Sequence, residues 1–302
     1  MSNPSSNPHS HKTLVLGTRS SLLARTQSQW VADFITAKTG IPVRLEMITT
    51  KGDVVLNKPL AQIGGKGLFT AELEEALHQG VIDFAVHSLK DLPTENPNGL
   101  VVNCLPKRED PRDALVGKPL QEVSVLGTGS IRRQAQIQKL QSTLVCEGIR
   151  GNVDTRISKM ENGDYDAVVL AMAGLNRLGL SQTRTDIHPL SVLDCIPAPG
   201  QGILGVQSRQ DREDITEILQ TIHDPETALC ATAERQFLDV FGGGCHACLG
   251  AYATIENGTI ALWAFVENAI GQFLKWRQTG DDPVQLGTQM AIEMRETLAH
   301  MK

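Results

Sequence analysis

The sequence predicts an α/β protein with two similar lobes on mostly parallel sheets, followed by a small α+β domain with an antiparallel three-stranded sheet. Three observations predict it. Short β-branched runs alternate with helical patterns, as βα units do around a parallel sheet. The alternation comes in two sets of similar size, the second starting after Pro111. Beyond a segment rich in Pro and Gly the pattern changes to a long helix, three strand-like runs and a final helix.

In the first set, Thr13 to Thr18 reads as a strand and leads through Arg19, Ser20 and Ser21 into a helix from about Leu22 to Lys38. A strand from Val43 to Thr49 follows. Leu68 to His78 places Leu68, Ala71, Leu73, Ala76 and Leu77 on one side and Glu72, Glu74 and Glu75 outward, an amphipathic helix. A third strand, Ile82 to Val86, ends at the polar string His87-Ser88-Leu89-Lys90-Asp91. The second set runs strand Val123 to Thr128, helix Ser130 to Leu140, strand Thr143 to Cys146, helix Val153 to Asn162, strand Ala167 to Ala171 and a short helix over Leu175 to Leu178. Ile196 to Gly202 holds two prolines and two glycines and reads as a linker, with one more strand at Ile203 to Ser208. The last part begins with a helix from Glu226 to Val240 and a Gly242-Gly243-Gly244 hinge. Strand-like runs at Leu249 to Ile255, Thr259 to Val266 and Gln272 to Thr279 follow, then a helix from Pro283 to His300. Asn257-Gly258 is a hairpin signal between the first two of these runs.

Composition narrows the function. At 302 residues the chain buries a sizeable core without staples. Its polar start, Ser2 to His11, lacks the apolar core of a secretory signal, and its six cysteines then point to a reducing, cytoplasmic setting. No apolar run approaches the roughly 18 to 20 residues of a membrane span. A net charge of −6 and an aromatic content of 4% argue against a nucleic-acid surface. Basic residues must act locally.

They cluster where the chain changes direction. Arg19 lies between a strand and a helix, Arg132 and Arg133 follow Gly127-Thr128-Gly129-Ser130, and Arg150 and Arg156 flank Gly151-Asn152. Such turns gather at one edge of an open sheet, where ligands bind. An arginine fork suits planar carboxylates, although any single arginine is more often a solvated charge. Lys90-Asp91 sits just past the third strand, where a carboxylate can stabilise a cation or move protons, or simply close a loop. Cys245 and Cys248 form a Cys-x-x-Cys pair behind three glycines that let the chain approach something bulky. A zinc site lacks further ligands at matching spacing, haem attachment needs a histidine where Leu249 stands, and two ordinary thiols remain open. Gly64-Gly65-Lys66-Gly67 lacks the spacing of a phosphate loop. It reads better as part of a mobile lid with Lys51 and Asp53, and His9 and His11 have no partner pattern.

In order along the chain, the strings LGTRSSLLA, GGKGLF, AVHSLKDLPT, REDPRDAL, GSIRRQ, RGNVDTR, AGLNRLG, PGQG, ETALCATAER and GGC resemble porphobilinogen deaminase, also called hydroxymethylbilane synthase. The resemblance runs from about Thr13 to His300. It implies two lobes like those of periplasmic binding proteins, residues 12–111 with 200–221 and residues 112–199. A third domain would follow at 222–302, behind a disordered tail at 1–11. It further implies a transferase that condenses four porphobilinogens, each losing ammonia, onto a dipyrromethane cofactor held by a thioether to Cys245. Asp91 matches the catalytic carboxylate. Lys90, Thr128, Ser130, Arg132, Arg133 and Arg177 match cofactor-binding positions. Arg19, Ser21, Phe69, Arg150, Arg156 and Gln201 match positions around the incoming substrate. No metal, nucleic acid or membrane partner is implied, and the expected state is a monomer. Cys248 stands where the family usually has proline and is a candidate for a disulfide with Cys245; Gln62 replaces a lysine of some members. Two other readings stay open: a two-lobed polycarboxylate-binding protein without catalysis, against which the GGC domain counts, and a Cys-x-x-Cys redox protein.

Overall fold

A computed structural model describes residues 13–50, 70–242 and 248–301. The expectations for Ser2 to His11, Lys51, Asp53, Gln62, Gly64 to Gly67, Phe69 and Cys245 lie outside these residues.

The first unit comprises β1 (Leu14–Thr18), α1 (Leu22–Thr39), β2 (Val43–Met47), α2 (Ala71–His78), β3 (Phe84–Ser88) and β4 (Leu100–Cys104). The second comprises β5 (Asp113–Gly117), β6 (Val125–Gly127), α3 (Ile131–Leu140), β7 (Val145–Glu147), α4 (Val153–Glu161), β8 (Ala167–Ala171), α5 (Met172–Arg177), α6 (Leu180–Thr183) and β9 (Ile187–Pro189). The chain then returns to the first sheet through β10 (Leu204–Arg209) and α7 (Glu213–Gln220). The last unit is α8 (Pro225–Phe241), β11 (Leu249–Glu256), β12 (Thr259–Glu267), β13 (Phe273–Gly280) and α9 (Pro283–His300).

Both lobes use one plan. The first sheet has five strands in the order β2-β1-β3-β10-β4, and the second has five in the order β7-β6-β8-β5-β9. In each, three strands pair in parallel and the fourth in the order, β10 or β5, is antiparallel to both its neighbours. Those two reversed strands are the ones that follow the crossings between lobes. The third sheet is the antiparallel β11-β12-β13, turned at Asn257-Gly258 as the sequence predicts; both residues have positive φ.

Local chemistry explains the element ends. Ser21 caps α1 by accepting from the Ala24 amide, and Gly40 at φ +73° closes the helix. Asp224 and Asp282 cap α8 and α9, each followed by a proline in the first turn, which needs no N–H there. Period-two alternation in β11 and β12 sends Leu249, Ala251, Ala253, Leu262 and Ala264 into a core with Phe237 and Met290. Tyr252, Trp263 and Phe265 face the other way, toward Ala135 of α3 and Ile196.

Several predicted boundaries need correction. The third strand is Phe84–Ser88 rather than Ile82 to Val86. Ile82 is buried, but it packs with Leu73 and Leu77 before pairing begins. The helix predicted at Leu175 starts at Met172, directly after β8. Strands β4, β5 and β9 and helices α6 and α7 have no counterpart among the elements that the sequence predicts.

Candidate active site

Those predicted site residues that are among the described ones lie at one edge of each lobe's sheet. Arg19 and Ser21 follow the carboxyl end of β1, Lys90 and Asp91 that of β3, and Thr128, Ser130, Arg132 and Arg133 that of β6. Arg150 follows β7, and Arg177 lies on α5 behind β8. Carboxyl ends of parallel strands are where open α/β sheets bind ligands, because helix N-termini and loops converge there. The reversed strands bring their amino ends to the same edges: Asp113 of β5 pairs with Ala171, and Leu204 of β10 pairs with Ser88. Gln201, just before β10, therefore arrives beside Lys90.

At the centre is Asp113, absent from the predicted set and fully buried. Its carboxylate meets Arg132 Nη2 at 2.8 Å and Arg133 Nη2 at 2.7 Å, and accepts from Gln201 Nε2 at 2.9 Å. Burial pushes its pKa up, but the two guanidinium charges outweigh burial and hold it well below the carboxylate range. Arg132 also donates to the Ile196 carbonyl (2.7 Å) and Arg133 to the Val169 carbonyl (2.9 Å). The resemblance places both arginines at cofactor-binding positions. In the fold both are buried and engaged by the protein, leaving two cations against one anion.

Lys90 donates from Nζ to Gln201 Oε1 at 3.3 Å. Burial lowers its pKa to about 8, with Asp91 opposing and Arg133 adding to the fall. Asp91 is exposed on the 3₁₀ turn Leu89–Asp91. Arg156 has its pKa lowered to about 10 by burial and by the charges of Arg133 and Arg150, with Asp91 opposing. Arg177 donates to the Gly202 carbonyl at 2.9 Å, and burial lowers its pKa to about 10. Thr128 accepts from the Ser130 amide, and Ser130 accepts from the Arg133 amide as the cap of α3. Ser21 serves its own helix in the same way. Arg19 acts electrostatically on the buried His87, whose pKa burial lowers to about 4.

This donor set fits a polycarboxylate. The charges of Arg133 and Arg150 act against that of the partly desolvated Arg156, and Asp91 opposes them there. An anionic ligand relieves that repulsion. Dipyrromethane, with its acetate and propionate arms, has this chemistry.

Two family models match the chain: "Porphobilinogen deaminase, dipyromethane cofactor binding domain" over residues 14–217 and "Porphobilinogen deaminase, C-terminal domain" over residues 228–296. The chain belongs to the porphobilinogen deaminase family. Porphobilinogen deaminase from Roseiflexus sp. (strain RS-1) is 43% identical over 292 residues, covering 94% of this chain and 96% of that protein. The porphobilinogen deaminases of Macrococcus caseolyticus and Exiguobacterium sibiricum are 41% and 42% identical, covering 94% and 96% of this chain and 95% and 98% of theirs. Among solved structures the chain is similar to the methionine-binding protein MetQ, at 12% identity and a TM-score of 0.45, covering 74% of this chain and 94% of that one.

The residues that sequence reasoning missed in this deaminase-family chain are buried ions. Besides Asp113 they include Arg108 and Glu234, which meet at 2.5 Å with Glu234 fully buried. Glu234 also accepts from the Gly200 and Ala253 amides, both at 2.7 Å. Arg108 donates to the Gln201 carbonyl at 2.9 Å. A signal existed: Asp113 opens an otherwise apolar run, and Glu234 stands among alanines on a helix. Cys248 donates toward Glu267 Oε2 at 3.6 Å, and burial together with that carboxylate pushes its pKa up to about 12. Little thiolate is then present for disulfide exchange.

Proposed function

We propose that this chain is a transferase that condenses four porphobilinogen molecules head to tail, with loss of ammonia, onto a dipyrromethane primer and releases hydroxymethylbilane. The observation that carries this is Asp91, exposed on its turn within the field of Lys90 and Arg156, in a chain that belongs to the porphobilinogen deaminase family over nearly its whole length. Cys245 would hold the primer through a thioether. When bound, the primer supplies the nucleophilic α-carbon on which the pyrrole chain is built.

The protein's own part is electrostatic and positional. Loss of ammonia leaves a cationic methylene on the substrate pyrrole, and Asp91 offers that charge a carboxylate fixed in place beforehand. Arg19, Arg150 and Arg156, with Ser21, are assigned to the arms of the incoming substrate, and Phe69 to its pyrrole ring. Lys90, Arg177, Thr128 and Ser130 are assigned to the primer, and Gln201 to holding Lys90. Arg132 and Arg133 contribute net positive field, since Asp113 already takes their forks. The enzyme is proposed to act as a cytoplasmic monomer.

Intact-mass spectrometry of the purified chain tests the reading. The expected mass exceeds that of the sequence by one dipyrromethane, and Asp91→Ala is expected to keep that mass while losing at least about a hundredfold in kcat. A bare mass with no porphobilinogen consumed would instead favour a two-lobed polycarboxylate-binding protein. Near-normal turnover in Asp91→Ala would remove Asp91 from its role.

A further inference from the structure

The turn that carries Asp91 is held by one face of α8. Ala231, Arg235 and Asp239 recur at intervals of four and so share a face. Ala231 packs with the buried Leu89, Leu92 and Ile203. Arg235 donates from Nη1 to the carbonyls of Leu89 (3.4 Å) and Leu92 (3.3 Å), and from Nη2 to that of Pro93. Asp239 accepts from Thr94 Oγ1 at 2.7 Å. The chain on both sides of Asp91 is thus tied to α8, while Asp91 itself remains exposed.

Other faces of α8 are committed elsewhere. Cys230, Ala233 and Phe237 belong to the core of the last unit, and Glu234 binds Arg108. The helix is therefore a fixed reference, and Arg235 is its link to the Asp91 turn. The Leu92 amide donates to the Leu89 carbonyl at 3.1 Å, so that oxygen serves the turn and Arg235 together. A planar fork can serve several carbonyls at once in a set geometry, which a lysine ammonium cannot reproduce.

We infer that Arg235 is a positioning residue for the Asp91 carboxylate, fixing where that group stands relative to the last unit of the chain. The inference rests on the proposed function, since it presumes that Asp91 faces a developing cation. Stabilisation of that kind is sensitive to placement: a shift of about 1 Å costs on the order of a hundredfold in rate.

The test uses the full, primer-loaded chain carrying Arg235→Gln, Arg235→Lys or Thr94→Val, with Arg235→Gln also placed in an Asp91→Glu background. Loaded mass, kcat, KM and melting temperature are measured together. Arg235→Gln is expected to keep its loaded mass and its KM within about twofold while kcat falls about 10- to 100-fold. Arg235→Lys should recover part of that loss. In the Asp91→Glu background, where the carboxylate is already displaced, the same change should cost less than about threefold, because effects through one group do not add. An unchanged kcat in loaded Arg235→Gln overturns the inference, as does an equal loss in both backgrounds. If Arg235→Gln does not fold, Thr94→Val relaxes the same turn with Arg235 in place, and it must lower kcat at constant KM for the inference to stand. A wild-type chain that consumes no porphobilinogen sinks the proposed function and this inference with it. An active wild type with an indifferent Arg235→Gln sinks the inference alone.

Discussion

Asp113 faces two guanidiniums, and one positive charge therefore survives among side chains that are almost fully buried, where screening is weak. Lys90 feels the result. With its pKa lowered to about 8 by burial, it is an ammonium below that pH and loses its charge as the pH rises through it. We expect kcat/KM for an anionic substrate to fall above about pH 8 for this reason. In Lys90→Arg, whose guanidinium stays charged, that limb should vanish from the pH profile; an identical limb would assign the titration to another group. Lys90, Asp91 and the turn arginines were legible in the sequence because they sit at strand ends, where a charged side chain has little structural reason to recur. Asp113 and Glu234 were not, because a buried ion looks like a surface one until its partner, far along the chain, is known.

Among elements, strands with clean apolar runs were legible and short or mixed ones were not. β9 is three residues ending in proline, which fits only a sheet edge, and β5 opens with the charged Asp113. β11 shows how closely elements are pressed together around the linker. A Cβ at Gly250 would stand 2.5 Å from the Ile196 carbonyl oxygen and 2.9 Å from that of Pro197. Those oxygens are in use, the first by Arg132 and Gln136 and the second by the Ala251 amide. Gly250→Ala is expected to cost about 1–3 kcal/mol in urea unfolding, by pushing β11 off the linker. An unchanged midpoint would mean that the linker yields freely.

For the molecule as a whole, two α/β lobes and a small antiparallel domain could be read from the order of patterns along the chain. How the parts are joined could not, because it depends on pairings between distant segments. Glu234 is one point where they meet, bonded to Arg108 from the first crossing, Gly200 from the second and Ala253 from the third sheet. Glu234→Gln leaves Arg108 short of its counter-charge, and a loss of about 3–5 kcal/mol is expected in urea unfolding. A change below about 1 kcal/mol would mean that the junction does not depend on this charge pair. The return of β10 to the first sheet has a consequence for biosynthesis. β3 ends at Ser88, and the strand that must lie beside it is complete only at Arg209, with His87 bonded to Gln207 across a separation of 120 residues. At about 5–20 residues per second, the ribosome leaves β3 without that neighbour for roughly 6–24 s. During that interval the second lobe can close on its own strands, since β5 to β9 are contiguous in the chain. The lobe made first is therefore the lobe finished last, and its unpaired strand edge is what a chaperone would meet on the nascent chain.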